Sequence, residues 1–258
     1  AEAIVDPSGP LAARVIVNRV WRQLMGAPLV GTPRNFGSLG SQPTHPLLLD
    51  DLAVRFDQSG GSLKWLQRQI VLSATYGQSS RVDAMKSELD PANELRWRMP
   101  RRRLGLEAYR DAVLFASGRL EGTLGGPSID PQDPDSTRRT VYTQVSRLDL
   151  NPMLARFDFP DPNSHSAGRH ETTTPLQKLF LLNSPFLVRH SQALAERIER
   201  SSPDDVGRVR FAYQLLFARN PNAEELELVI GFVSGGGESG WSNFAQALLI
   251  SNEMLMLD

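Results

Sequence analysis

The chain has 258 residues, 40% of them hydrophobic, enough to bury a substantial core as one large domain or two modest ones. Its 28 Lys and Arg nearly balance 29 Asp and Glu, and a formal charge of -1 excludes a global field for nucleic acid or an anionic membrane. Without cysteine, disulfides, thiolate catalysis, iron-sulfur ligation and covalent haem attachment are excluded too.

The opening Ala1 to Asp6 lacks a basic-then-apolar signal pattern, and no run reaches the roughly 20 apolar residues of a membrane helix. The chain is therefore expected to be a soluble module of a longer protein. Apolar residues recur at three- and four-residue intervals behind proline or small polar residues. That pattern predicts a mainly α fold, a multi-helix bundle with long irregular loops and at most one short strand or hairpin. Pro10 opens the first helix, with Ala13, Ile16, Val20 and Leu24 inward and Gly26 and Pro28 at its end. Thr44 is expected to cap the second, with Pro46 in its first turn and Leu48, Leu49, Leu52 and Phe56 facing the core. Ser62 caps a third, carrying Leu63, Leu66 and Ile70. A fourth runs from Leu104 to Ser117 with Leu104, Tyr109, Val113 and Ala116 inward.

Between Gly118 and Arg138 the chain is rich in Gly, Pro and Asp and reads as a long loop, of the kind that binds something or flexes. Arg139 to Val145 alternates through Val141, Tyr142 and Thr143 and predicts one short strand or an extended edge segment. Asn151 to Thr174 is a second irregular stretch. Thr174 then caps a helix from Pro175 that Asn183-Ser184-Pro185 interrupts, and a further helix carries Phe186, Leu194 and Ile198. Ser202 to Asp205 starts a three-helix unit; Asn222 to Glu225 is a capping-box start for its second helix, and Trp241, Phe244, Leu248 and Leu249 line its third. Gly235, Gly236 and Gly237 turn the chain between those two. The predicted organisation is a main helical domain over residues 1–200, with loops near 118–138 and 151–174, and a C-terminal three-helix unit over 201–258 packed on it.

Several strings stand out in order along the chain. Pro10 to Trp21 contains Asn18 and Arg19, Gly31 to Gly37 contains Arg34, Asn35 and Phe36, and Thr44-His45-Pro46 leads to Asp50. Arg102 to Ala112 holds Glu107, Tyr109, Arg110 and Asp111; Ser117-Gly118, Gly125-Gly126-Pro127, Arg138-Arg139 with Tyr142, and Phe157-Asp158 with Pro160-Asp161 follow. Thr172 to Pro185 and Ala247 to Glu253 close the series. Together they resemble the uncharacterised C-terminal domain of large planctomycete proteins, over about Pro10 to Asp258. The family pattern usually reads Asn-Ser-Asn-Glu-Phe-Leu where this chain has Ile250 to Leu255, a volume-tolerant change. The resemblance implies an exported, periplasmic or cell-envelope parent protein. It also implies no cofactor in this chain, with haem only in another, cytochrome c-like domain of that parent.

The polar residues within these strings are the candidates for function. Asn18 and Arg22 lie one turn apart beside Trp21, which suits either a hydrogen-bonding and stacking surface for a ligand or the fixing of the following loop. Arg34, Asn35 and His45 suit a binding loop on a helical scaffold, and Arg139 and Arg169 suit bidentate capture of a carboxylate or sulfate. The plainer role for such arginines is to tie loops to helices by ion pairs, with Arg138 and Arg147 in the same position. No His spacing matches a metal site, although His165 and His170 share a loop with Asp158 and Asp161. Arg96-Trp97-Arg98 and Arg101 to Arg103 are too short a basic run to outweigh the balanced charge, and no nucleic-acid partner is expected. Two readings follow. In the first the chain is a non-catalytic docking or ligand-binding module for other domains of its parent or for acidic polysaccharide. In the second it is a polysaccharide-active enzyme with a carboxylate pair drawn from Glu107, Asp111, Asp158 and Asp161.

Overall fold

The computed structural model describes residues 9–164, 166, 168–169 and 172–257. His165 and His170 lie outside the described residues. The chain divides into two compact units, the first ending at Arg102 and the second running from Arg103 to Leu257.

In the first unit α1 (Pro10–Met25), α2 (Pro46–Gln58) and α3 (Leu63–Val71) pack on one another, and a short α4 (Ala84–Leu89) follows. Val17, Trp21 and Met25 meet Leu49, Leu52, Phe56, Leu66 and Ile70 in one core. The expected stripe on α1 is therefore rotated by about one residue: Ile16 is 37% exposed, whereas Val17 is fully enclosed. From Ala13, steps of four lead to Val17, Trp21 and Met25 as readily as mixed steps lead to Ile16, Val20 and Leu24, and burial of the indole decides between the two faces. Ser62 caps α3 as predicted, accepting from the Trp65 amide at 3.3 Å, but Leu63 is exposed at the first position of the helix.

The cap of α2 is also displaced. His45, not Thr44, occupies the N-cap: the Thr44 hydroxyl and amide are both directed to the Leu29 carbonyl, at 3.4 and 2.9 Å, and the His45 carbonyl accepts the first helical amide. At the other end of α1, Gly26 sits at φ +79°, where a Cβ would lie 2.6 Å from Cδ of Arg102, whose guanidinium donates to the Gln23 carbonyl. Gly26→Ala is expected to destabilise the chain by about 1–2 kcal/mol through the left-handed backbone alone. A urea-unfolding midpoint equal to wild type would show that this turn does not require glycine.

The second unit contains α5 (Leu106–Ala116), α6 (Pro152–Arg156), α7 (Pro175–Asn183), α8 (Pro185–Glu199), α9 (Asp205–Phe217), α10 (Ala223–Gly235), α11 (Gly240–Leu249) and α12 (Asn252–Leu255). A two-stranded sheet joins β1 (Arg102–Arg103) to β2 (Met256–Leu257). The caps follow local chemistry. Thr174 with Gln177, and Asn222 with Glu225, form reciprocal capping boxes, and Asp204 accepts from the Gly207 amide at 2.8 Å.

The fold is mainly α, with long irregular segments between α5 and α7. α8 packs along α11, and Leu114, Leu194, Val209, Phe244 and Leu249 share one core, so the helices after residue 200 belong to the same unit as α5 and α8. The strand expected over Arg139 to Val145 is a 3-10 turn, Thr140–Tyr142, with an isolated bridge between Ile129 and Thr143. Its backbone is claimed from below: Asp111 accepts from the Thr140 amide at 2.7 Å, and Arg110 donates to the Arg138 carbonyl at 3.0 Å. Among the described residues no helix is long and apolar enough to cross a membrane.

Candidate functional site

The candidates of the first unit hold their own chain. Asn18 is fully buried; its Oδ1 accepts from the Leu29 and Val30 amides at 2.8 and 2.9 Å, and its Nδ2 donates to the Val30 carbonyl at 3.2 Å. Trp21, three residues further along α1, lies in the core. Asn35 closes a small turn by accepting from the Gly37 amide at 3.0 Å, while its own amide donates to Thr32. Arg34 is exposed on that turn. His45 places Nδ1 3.0 Å from the Thr44 hydroxyl and offers its carbonyl to the Leu49 amide as the first bond of α2.

In the second unit the structure brings three predicted residues into one polar network. Arg169 grips Glu107 with both terminal nitrogens, at 2.6 and 2.5 Å, and its guanidinium lies 4.9 Å from the Phe159 ring. Asp158, in a left-handed conformation at φ +60°, accepts from the Thr172 amide at 2.9 Å and from its hydroxyl at 2.8 Å, and contributes to the field that holds Arg169 charged. Partial burial pushes the Glu107 carboxyl up, but the Arg169 hydrogen bonds and charge outweigh it and hold the group below its ordinary value. Glu107 is thus an ionised acceptor at neutral pH and not a proton donor.

Gln177 is the hub of this network and was not singled out by sequence. It is 1% exposed, donates to the Arg156 carbonyl at 2.9 Å and the Thr172 hydroxyl at 3.2 Å, and accepts from Arg103 at 2.7 Å. Its position as the N3 partner of Thr174 was the available signal, because a capping-box side chain is held near the chain that enters the helix. Arg103 also donates to the Thr172 carbonyl.

The remaining candidates fasten the loop after α5. Asp111 accepts the Thr140 hydroxyl at 2.6 Å in addition to its amide, and Arg139 approaches the same carboxylate at 3.6 Å from an exposed position. Arg138 donates to the Gly125 and Pro127 carbonyls and lies 4.3 Å from the Tyr142 ring. Asp161 accepts from the Asn163 amide at 2.8 Å, an Asx turn, and is not joined to Asp158 by any bond among the described residues. Among those residues no three His, Cys, Asp or Glu side chains converge as metal ligands would.

Arg110 lies between Glu107 and Asp111 in the sequence, yet it is fully buried. It donates to the carbonyls of Pro131 (3.1 Å), Ser136 (2.6 Å) and Arg138 (3.0 Å) and to the Thr140 hydroxyl (3.2 Å), with Phe186 4.5 Å from its guanidinium. Burial lowers its pKa to about 10, which leaves it a cation at neutral pH. The closing string is equally occupied. Ser251 caps α12, Asn252 accepts from Lys178 at 2.8 Å, and Glu253 shares Arg219 with Glu225 at 2.6 to 2.8 Å.

These features define a mainly α protein whose motif side chains anchor loops to helices. The chain belongs to the family described as PSD1, Protein of unknown function (DUF1553), which matches residues 1–233. No curated protein and no solved structure matches it.

Proposed function

We propose that this chain is a non-catalytic docking or ligand-binding module of a large exported envelope protein of planctomycete type, whose haem resides in another, cytochrome c-like domain. Its partners are the neighbouring domains of that parent, with acidic polysaccharide as the external ligand and no nucleic acid. The observation that supports this reading is the state of the carboxylates a polysaccharide enzyme would need. Glu107 is engaged bidentately by Arg169, and both Asp158 oxygens accept from Thr172, so neither is poised to protonate a glycosidic oxygen. Arg139 remains exposed while it approaches Asp111, and its guanidinium is of the kind that sulfate and uronate groups recognise.

The test is incubation of the purified chain with neutral, uronic and sulfated polysaccharides, scoring retention and release of reducing ends together. Retention of the acidic polymers without release is expected; release of reducing ends would overturn the proposal. Under the same reading Glu107→Gln lowers stability by about 1–2 kcal/mol by breaking a charge-assisted pair, and Asp158→Asn does so comparably. Variants as stable as wild type that remove a measurable turnover would instead make these residues catalytic.

A further inference from the structure

We propose that the segment from Pro131 to Thr140 is a proton-sensitive latch, docked on the second unit only while His190 beneath it is neutral. Asp111 holds the end of the segment at Thr140, and three further side chains face the rest of it. Arg110 of α5 takes its carbonyls at Pro131, Ser136 and Arg138, and two consecutive residues of α8, Arg189 and His190, face its middle. Arg189 pairs with Asp135, and the His190 ring faces the Pro134 carbonyl.

His190 is 2% exposed. Its ring lies 4.3 Å from Phe186, and the other partner of Phe186 is the Arg110 guanidinium, so phenyl, imidazole and cation form one buried layer. The Ser117 hydroxyl lies 3.0 Å from the Leu114 carbonyl and 3.2 Å from His190 Nδ1, so one nitrogen of the neutral ring is already engaged. Nε2, on the side of the Pro134 carbonyl, and the hydroxyl of Ser136 on the latch itself are buried and make no hydrogen bond of good geometry.

Protonation of the ring would place a second cation in a layer already holding Arg110, with Arg119 and Arg189 also close. The Pro134 carbonyl favours the charged ring, but burial and the three arginines outweigh it and depress the pKa from 6.5 to about 4. The facing carboxylates do not change this balance. Asp111, Asp130 and Asp133 act on Arg110, and Asp135 is taken by Arg189.

The sign follows from linkage. A histidine with its pKa lowered in the docked state and ordinary when the latch is released favours docking above pH 6.5, and loses that contribution as pH falls toward 4. Between pH 7 and pH 5 the opening equilibrium should rise about 20-fold, before most carboxylates protonate.

Hydrogen-exchange protection factors for peptides covering residues 131–140, measured on the whole chain at pH 7 and pH 5, test this. Protection in the wild type is expected to fall about 20-fold in these peptides while α8 and α11 stay protected. In His190→Phe, which keeps an aromatic ring in the layer, the fall should vanish. His190→Gln, in case phenylalanine overpacks, should also be insensitive to this pH change. An equal fall in wild type and both variants, or protection unchanged between the two pH values in wild type, would overturn the proposal. Loss in Asp135→Asn matching wild type is expected, and abolition of the pH response by that variant would assign it to the carboxylate instead.

Discussion

Arg110→Met is expected to lower the stability of the chain by about 3 kcal/mol and to open the segment from Pro131 to Thr140 to protease. Methionine roughly preserves the length of the side chain and its contact with Phe186, so little apolar packing is lost. What disappears is a fork of donors. The carbonyls of Pro131, Ser136 and Arg138 would lose their shared guanidinium, and each unsatisfied buried acceptor costs roughly 1–3 kcal/mol, offset in part because the cation no longer has to be desolvated. The Thr140 hydroxyl keeps Asp111, which is why the loss should concentrate on the stretch before it. Arg110→Lys should recover only part of the stability, since an ammonium supplies a charge but not four divergent bonds. Thermal unfolding with a protease-cleavage map reads both effects. A melting temperature within about 2 °C of wild type, which for a chain of this size corresponds to about 1 kcal/mol or less, would mean that water replaces the guanidinium at little cost.

The same residue marks where the sequence was legible. On α5 the apolar positions Leu106, Tyr109, Val113 and Leu114 surround position 110 on the helical wheel, so the burial of Arg110 was readable from spacing. Its charge argued against it, because arginine is seldom fully enclosed. His190 repeats the pattern on α8, between Phe186, Leu187 and Leu194. Caps were the most legible features. Ser62, Thr174 and Asn222 act on amides three residues away, and such short-range bonds are written directly in the sequence.

Long-range bonds were not legible. The alternation of Val141, Tyr142 and Thr143 suits a strand, but whether a strand forms depends on a partner edge, and here the amide of Thr140 goes to Asp111, 29 residues earlier, and the chain turns as a 3-10 helix. The division of the chain behaves likewise. Local helix-start signals set off a C-terminal unit after residue 200, whereas the compact units divide after Arg102, and α11 returns to α8 across many residues so that the last helices join the unit that begins at Arg103. For the candidate site, the residue types were read and their partners were not: Glu107, Asp158 and Arg169 meet in one network through the segment around Thr172, whose approach no local pattern encodes.

Asn18→Leu should be the most damaging single change in the first unit. Leucine keeps the branched skeleton of asparagine and suits the apolar environment of Val17 and Trp21, so loss of hydrogen bonding is the main change, with some added bulk from the two methyls. Two buried amides, those of Leu29 and Val30, would lose their acceptor, and the Val30 carbonyl its donor. At about 1–3 kcal/mol per unsatisfied group, with incomplete additivity and some relaxation, the expected loss is about 4 kcal/mol. The consequence travels along the chain. Leu29 also receives the Thr44 amide, and Thr44 precedes the N-cap of α2, so a displaced segment at 29–30 would loosen the start of α2 as well. Exchange protection should therefore fall at the first turn of α2 before it falls in α3. If Asn18 served a ligand instead of its own backbone, Asn18→Leu would leave the melting temperature unchanged and abolish retention on acidic polysaccharide. A large drop in melting temperature with that ordered loss of protection would assign it to the scaffold that presents Arg34 and His45.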